Sequence, residues 1–145
     1  MIWKSAPFVV ALAGAVIIPS FAPAFAADTA ARAGILDGLA AEVRRADPAF
    51  AGFSAERGAA LFTATHTGGQ PDTPSCTTCP GPAPTAAGRT RAGKPIGPMA
   101  LSAAPARYTD PEKVAKWFDR NCRSVLGRAC TALEKGDFIT FMVSR

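Results

Sequence analysis

The stretch Cys76-Thr77-Thr78-Cys79-Pro80 decides the fold of this chain. Two cysteines separated by two residues and followed by histidine form the covalent attachment site of a c-type haem in exported proteins. Each sulfur bonds one vinyl group of the haem, and the histidine binds the iron. Here Pro80 follows the second cysteine, so the covalent half of the motif is present and the coordinating half is missing.

Other uses of Cys76 and Cys79 fit the sequence less well. A structural zinc site takes four ligands, commonly from two close cysteine pairs, but Cys122 and Cys130 are eight positions apart. A thioredoxin-like dithiol is expected at a helix start within a βαβ pattern, and the sequence predicts no such strands. A disulfide between Cys76 and Cys79 would close a very small loop. The spacing therefore favours haem attachment.

The N-terminus has the pattern of a secretory signal peptide. Lys4 gives a positive start, Phe8–Ile18 is an apolar run, and Ala24–Ala26 supplies a small-x-small cleavage signal. We therefore predict a signal peptide over residues 1–26 and a periplasmic protein. The apolar run is short for a membrane span, so we expect no stable membrane insertion, with a retained anchor as the alternative.

Composition narrows the possible functions. The chain has 145 residues and a formal net charge of +5, and it lacks a basic stripe with interleaved aromatic residues, which argues against nucleic-acid binding. Its mild positive charge could steer an acidic redox partner. All four cysteines follow the predicted leader, in a compartment that oxidises thiols. Cys122 and Cys130 straddle a turn that contains Gly127, so we expect a structural disulfide there.

The exported part divides into a short extension and one domain. Helical spacing of apolar residues predicts an amphipathic helix over Asp28–Arg45, and Asp47-Pro48 ends it. We assign residues 27–50 to an N-terminal helical extension and residues 51–145 to the domain. The segment from His66 to Tyr108 is rich in Gly, Pro, Thr and Ala and has no periodicity, so it is expected to wrap something.

Three helices are predicted in the domain. One begins near Ser54, and one begins at Asp110, a good N-cap followed by proline, and runs to about Cys122. The last is capped by Thr131, with Glu134 completing a capping box. No alternating strand pattern occurs. The fold class is therefore all-α, with short helices and one long irregular segment.

Two residues outside the cysteine pair could reach an iron. His66 is the only histidine, so it is the one imidazole that could substitute for the missing ligand; alternatively, it is a solvated loop residue. Met99 lies in the loop after the motif, and thioether ligands from such loops occur in c-type cytochromes. The alternative for Met99 is packing on the haem or in the core.

A series of short runs shares order and spacing with a known family. The runs are Ser54–Gly58, His66–Gly69, Pro74–Cys79, Thr90–Lys94, Pro98–Ala100, Phe118–Cys122, Ser124–Arg128 and Glu134–Asp137. With these runs, residues 54–145 resemble the sphaeroides haem protein family, small exported cytochromes of the class I c-type fold. The resemblance implies a cytochrome c-like fold in which the helix with Gly58 crosses the last helix near Phe138.

The resemblance also implies roles for individual residues. It implies thioether bonds from one covalent haem c to Cys76 and Cys79. Asn121 matches the family's distal iron ligand, which leaves the iron on reduction and opens a site for a diatomic ligand. Met99 matches a family position that is not a ligand, which favours haem packing. The departure is Pro80, where the family has its proximal histidine.

The expected function is that of an exported monohaem c-type cytochrome. It would transfer electrons to or from a redox partner protein in the periplasm, or bind oxygen or nitric oxide at the haem iron. The sequence offers no acid–base or nucleophile set, so an electron carrier or ligand binder is favoured over an enzyme. The alternatives are a haem-free, disulfide-stapled helical domain that binds a partner protein, and a thiol–disulfide oxidoreductase.

Overall fold

The computed structural model describes residues 23–145. The first twenty-two residues of the predicted signal peptide lie outside that range. The elements are α1 (Pro23–Ala46), α2 (Ala55–Thr63), β1 (Gly88–Arg89), β2 (Pro95–Ile96), α3 (Pro111–Leu126) and α4 (Ala132–Val143). The fold is mainly helical, as predicted, and no helix in the described range is long and apolar enough to cross a membrane.

The predicted starts of α2, α3 and α4 are confirmed by their caps, whereas α1 begins at Pro23 rather than at Asp28. The Ser54 hydroxyl accepts a hydrogen bond from the Arg57 amide at the start of α2, and the Asp110 carboxylate accepts one from the Lys113 amide at the start of α3. Thr131 is the N-cap of α4 and forms the predicted capping box with Glu134. These side chains satisfy amide groups that have no partner within the first turn of a helix.

The structure adds two details of secondary structure that the sequence pattern did not predict. The irregular segment contains a short antiparallel ribbon in which Gly88 pairs with Ile96; strands of two residues are too short to produce a detectable alternation. Helix α3 continues to Leu126 rather than ending near Cys122. It ends where Gly127 adopts a left-handed conformation (φ 70°), whose steric cost is lowest for glycine.

The core forms where α2 crosses α4. Gly58 lies at the crossing, and a Cβ there would overlap the backbone carbonyl of Asp137. The crossing predicted from the family resemblance is therefore present, and it explains why α2 carries a glycine. The largest fully buried side chains surround it: Phe62, Phe138, Ile139 and Met142.

A buried carboxylate fixes the start of α2 against α4. Asp137 is only 3% exposed. It accepts hydrogen bonds from the Ser54 amide (2.7 Å) and from the Arg57 guanidinium (2.6 and 2.8 Å). Charged partners make such bonds stronger than neutral ones, so the start of α2 is held against the middle of α4.

Helix α1 packs on the domain rather than projecting from it. It contacts α4, and Arg32, which is 6% exposed, donates hydrogen bonds to the carbonyls of Pro105 (2.5 Å) and Arg107 (3.1 Å). Buried guanidinium groups need such acceptors. The extension therefore also fixes the end of the irregular segment.

We expect Gly58→Ala to destabilise the fold by about 1–3 kcal/mol, because the added methyl group overpacks the crossing. Gly34→Ala is the matched control, since Gly34 is a helical glycine with nothing within 4 Å of an added Cβ; it should leave stability unchanged or raise it by up to about 1 kcal/mol. Urea unfolding followed by circular dichroism measures both variants. Equal midpoints for the two would contradict the close crossing.

Candidate functional site

The segment from Ser75 to Pro80 forms a compact turn at the end of α2. The Thr78 amide donates to the Ser75 carbonyl (3.1 Å), and the Gly81 amide donates to the Thr77 carbonyl (2.9 Å). The Ser75 hydroxyl donates to the carbonyl of Phe62 (3.3 Å), which joins the turn to the helix. Within this turn Cys76 and Cys79 are both free thiols and are both half-buried.

Pro80 is buried against the ribbon. The Arg89 amide donates to the Cys79 carbonyl (3.1 Å), and a Cβ at Gly88 would overlap the backbone of Pro80. Glycine at position 88 therefore permits the ribbon to lie directly on the cysteine turn. The proline ring carries no atom that could bind a metal.

Cys76 and Asn121 line the same cavity, although they come from distant parts of the chain. The cavity volume is about 20 Å³, close to the room for a single water molecule. Its wall is otherwise apolar and comes mostly from helices α2, α3 and α4. The other lining residues are Leu61, Trp117, Phe118, Cys122, Val125, Leu126, Cys130 and Phe138.

Three aromatic rings belong to this wall. The ring centroids of Trp117 and Phe118 lie 5.0 Å apart, and those of Trp117 and Phe138 lie 5.2 Å apart. Phe118 also meets Phe138 edge-on at 5.6 Å. Helical periodicity puts Trp117 and Phe118 on one apolar face of α3, but periodicity does not distinguish a cavity wall from the core.

Asn121 is held by its own helix. Its side-chain Nδ2 donates to the Trp117 carbonyl one turn earlier (2.7 Å). This bond fixes the amide plane and leaves Oδ1 as the atom with no hydrogen-bond partner among residues 23–145. An amide oxygen in this setting is able to accept a hydrogen bond or to bind a hard metal ion.

Burial changes the acidity of Cys76. The low-polarity surroundings disfavour the thiolate and raise the pKa of the Cys76 thiol to about 11. At neutral pH the group is therefore a protonated thiol and a poor nucleophile. This protonation state does not favour the thiol–disulfide oxidoreductase alternative, which needs a reactive thiolate.

The Cys122–Cys130 disulfide is present, with the two Cα atoms 5.5 Å apart. It connects the last turns of α3 to the residue before the cap of α4. The loop after His66 packs on the same end of α3, where the Gln70 amide and the Thr73 hydroxyl both donate to the Ser124 carbonyl (2.7 and 3.0 Å). Because Cys122 and Cys130 both line the cavity, the disulfide is part of the cavity wall as well as of the junction between α3 and α4.

The other two predicted ligands do not line the cavity. The Nε2 atom of His66 lies 3.2 Å from the carbonyl oxygen of Leu61, so the ring is near the lining residue Leu61 without being part of the wall. Met99 is 3% exposed within the core cluster, and its carbonyl accepts a hydrogen bond from the Tyr108 hydroxyl (3.1 Å). In this structure Met99 is a core residue.

Comparison with known proteins gives the family. A family model described as a domain of unknown function, DUF1924, matches residues 48–142. The cytochrome c-type protein SHP of Cereibacter sphaeroides is 57% identical over 91 residues, which cover 63% of this chain and 70% of that protein. The chain belongs to DUF1924 and to the SHP-family cytochromes c. Homology to c-type cytochromes implies covalent haem c in this SHP-family protein.

Solved structures agree with this assignment. The structure of oxidised SHP, described as an oxygen-binding cytochrome c, superimposes on this SHP-family chain with a TM-score of 0.72 and 49% identity. The superposition covers 79% of this chain and 96% of the SHP chain. Oxidised cytochrome c'' of Methylophilus methylotrophus is 24% identical with a TM-score of 0.67, over 79% of this chain and 94% of that one, which supports the cytochrome c-like fold alone.

The residues at the cavity fit a covalently attached haem in two respects and not in a third. The free thiols of Cys76 and Cys79 have the spacing and chemistry that covalent attachment requires, and the aromatic wall suits a flat apolar ring. Pro80, next to Cys79, offers no donor atom for the iron. Sequence reasoning found the thiols and Asn121 but not Leu61 or Val125, since a lone apolar residue carries no signal for a cavity.

We expect alkylation of Cys76 in haem-free Cys79→Ser protein to rise about tenfold per pH unit between about pH 7 and 9.5, because only the thiolate reacts and its pKa is about 11. Iodoacetamide labelling followed by intact-mass measurement gives the rate. The same protein unfolded in urea is the control. Its alkylation rate should level off above about pH 8.5, the ordinary pKa of a cysteine thiol. A folded-state rate that levels off at that same pH would contradict the effect of burial.

Proposed function

We propose that this SHP-family protein is a small haem-carrying cytochrome that binds a diatomic ligand such as oxygen or nitric oxide beside Asn121 and exchanges electrons with a partner. The observation that carries the proposal is the meeting of Cys76 and Asn121 in one apolar cavity. Further support comes from the solved relative SHP, which is described as an oxygen-binding cytochrome c.

Each residue of the cavity would have a definite task. Cys76 and Cys79 would hold the haem through thioether bonds, as their free state and spacing allow. When bound, haem supplies an iron that changes oxidation state and accepts a diatomic ligand. Asn121 would present Oδ1 from a side chain already oriented by its bond to the Trp117 carbonyl. The aromatic wall would exclude water, which strengthens polar interactions inside the cavity.

The cavity has to enlarge to hold a haem, since its volume is about 20 Å³. Most of its wall is helical and packed into the core, whereas Cys76 lies in the irregular segment. We infer that this segment moves off the helices when haem is attached. The family has its proximal histidine at the position that Pro80 occupies in this chain. The proximal ligand would therefore be His66, a water molecule or absent.

The proposed setting is the periplasm, where the predicted signal peptide would deliver the chain. Electron exchange would take place with a redox partner protein. Removal of the predicted leader with Lys4 takes the formal net charge from +5 to +4, and this positive charge favours a partner with an acidic surface. Neither role uses a catalytic acid, base or nucleophile. The proposal is therefore an electron carrier or ligand binder rather than an enzyme that converts a substrate.

Pro80→His tests the proposal directly. We expect the parent protein to carry some covalent haem and Pro80→His to carry at least about tenfold more, because a histidine would complete the attachment motif. A haem-stained denaturing gel and absorption spectra measure this in a host that matures other c-type cytochromes. Cys76→Ser with Cys79→Ser is the control that should not stain. Absence of stain from both the parent and Pro80→His would sink the proposal and favour the haem-free, disulfide-stapled binding domain.

The same spectra distinguish the possible proximal ligands of the parent protein. We expect His66→Gln to change the oxidised spectrum of the parent if His66 binds the iron, and to leave the spectrum of Pro80→His unchanged, since a closer imidazole is then available. A parent spectrum insensitive to His66→Gln assigns the position to water or to no ligand.

Asn121→Val tests the distal role. In the Pro80→His background we expect the oxidised protein to bind imidazole at least about tenfold more tightly, because no internal ligand competes for the iron. The affinity of the reduced protein for carbon monoxide should stay within about threefold, since Asn121 would already have left the iron. Arg120→Ala, an exposed neighbour on α3, is the control. Unchanged imidazole affinity in Asn121→Val would contradict a distal role.

A further inference from the structure

A second cavity lies between α1 and α3, away from the cysteine pair. Helix α1 packs on α4 but leaves a groove of about 550 Å³ beside α3, within the size range of small-molecule sites. We call it the α1–α3 groove. The lining residues are Ala31, Gly34, Ile35, Gly38, Leu39, Thr109, Pro111, Val114, Ala115, Phe118 and Lys135.

The groove is open because α1 carries no side chain along part of it. Gly34 and Gly38 are one helical turn apart, and an added Cβ at either would meet nothing within 4 Å. Ile35 and Leu39 flank them, and Val114 and Phe118 face the groove from α3. At a rise of about 1.5 Å per residue, the span from Ala31 to Leu39 is about 12 Å. The α1–α3 groove is therefore apolar over about 12 Å of helix α1.

One charge lies in this apolar setting. Lys135 is half-buried and has no ion-pair partner among residues 23–145, whereas Lys113 pairs with Asp110 and Lys116 pairs with Glu112. The lining contains no carboxylate.

We propose that the α1–α3 groove binds an amphipathic carboxylate, with its apolar tail along Gly34 and Gly38 and its carboxylate at Lys135. The apolar walls would bury the tail, and the unpaired ammonium would supply the charge complement of the head group. Because the half-buried lysine lies beside the apolar α1–α3 groove, an anionic amphiphile should bind more tightly than an uncharged or cationic amphiphile of the same length. The cysteine pair takes no part in this binding, so the site stands independently of the proposed haem function.

Decanoate is the probe, used below the concentration at which it forms micelles. We expect isothermal titration of the purified protein to give one site with a dissociation constant in the micromolar range. Decanol and decyltrimethylammonium, which share the tail and lack the negative head, should bind at least about tenfold more weakly. Failure of decanoate to bind, or equal binding of the three amphiphiles, overturns the proposal.

Variants place the site. Gly38→Leu should weaken decanoate binding at least about tenfold by filling the channel, without loss of thermal stability, because leucine favours a helix more than glycine does. Lys135→Gln should weaken it about tenfold. Ala41→Leu, at an exposed position on α1, and Lys116→Gln on α3 are the matched controls and should bind as the parent does. Binding that survives both groove variants lies elsewhere and overturns the assignment.

Discussion

The close approach of α2 and α4 at Gly58 is the constraint on which the rest of the structure depends. A backbone carbonyl of α4 lies where a Cβ at residue 58 would stand, so the two backbones approach this closely only because that residue is glycine. The Asp137 carboxylate then binds the start of α2, and the Phe62 ring of α2 contacts the rings of Phe138 and Phe141 on α4. Leu61 and Phe138, on opposite sides of the crossing, thereby come to line one cavity.

The cysteine turn is fixed to this frame from two directions. Ser75 bonds to the end of α2, and Gly88 allows the ribbon to lie on Pro80. The Cys122–Cys130 disulfide belongs to another part of the wall of the same cavity. Pro80, which follows the cysteine pair, is therefore part of the packing, and its ring has no donor atom for a metal ion.

The features that the sequence predicted are those with a local signature. Ser54, Asp110 and Thr131 carry capping chemistry within one helical turn, and the Cys-x-x-Cys spacing is visible over four residues. The disulfide followed from the turn at Gly127 and from the compartment. The ribbon and the true end of α3 could not be obtained in this way, because they depend on contacts such as that of Gly88 with Pro80 and that of Gly127 with Gly68. The α1–α3 groove is likewise a product of how α1 packs on α4.

Phe118 belongs to both cavities: it lines the small one near Asn121 and the α1–α3 groove, and its side chain is 2% exposed. A single ring therefore forms the partition between two spaces of very different volume. Any rearrangement of that ring changes the room on both sides at once. By thermodynamic linkage, any effect that an occupant of one space has on the affinity of an occupant of the other through this ring would be returned with the same free energy. Phe118 is the one side chain that lines both cavities.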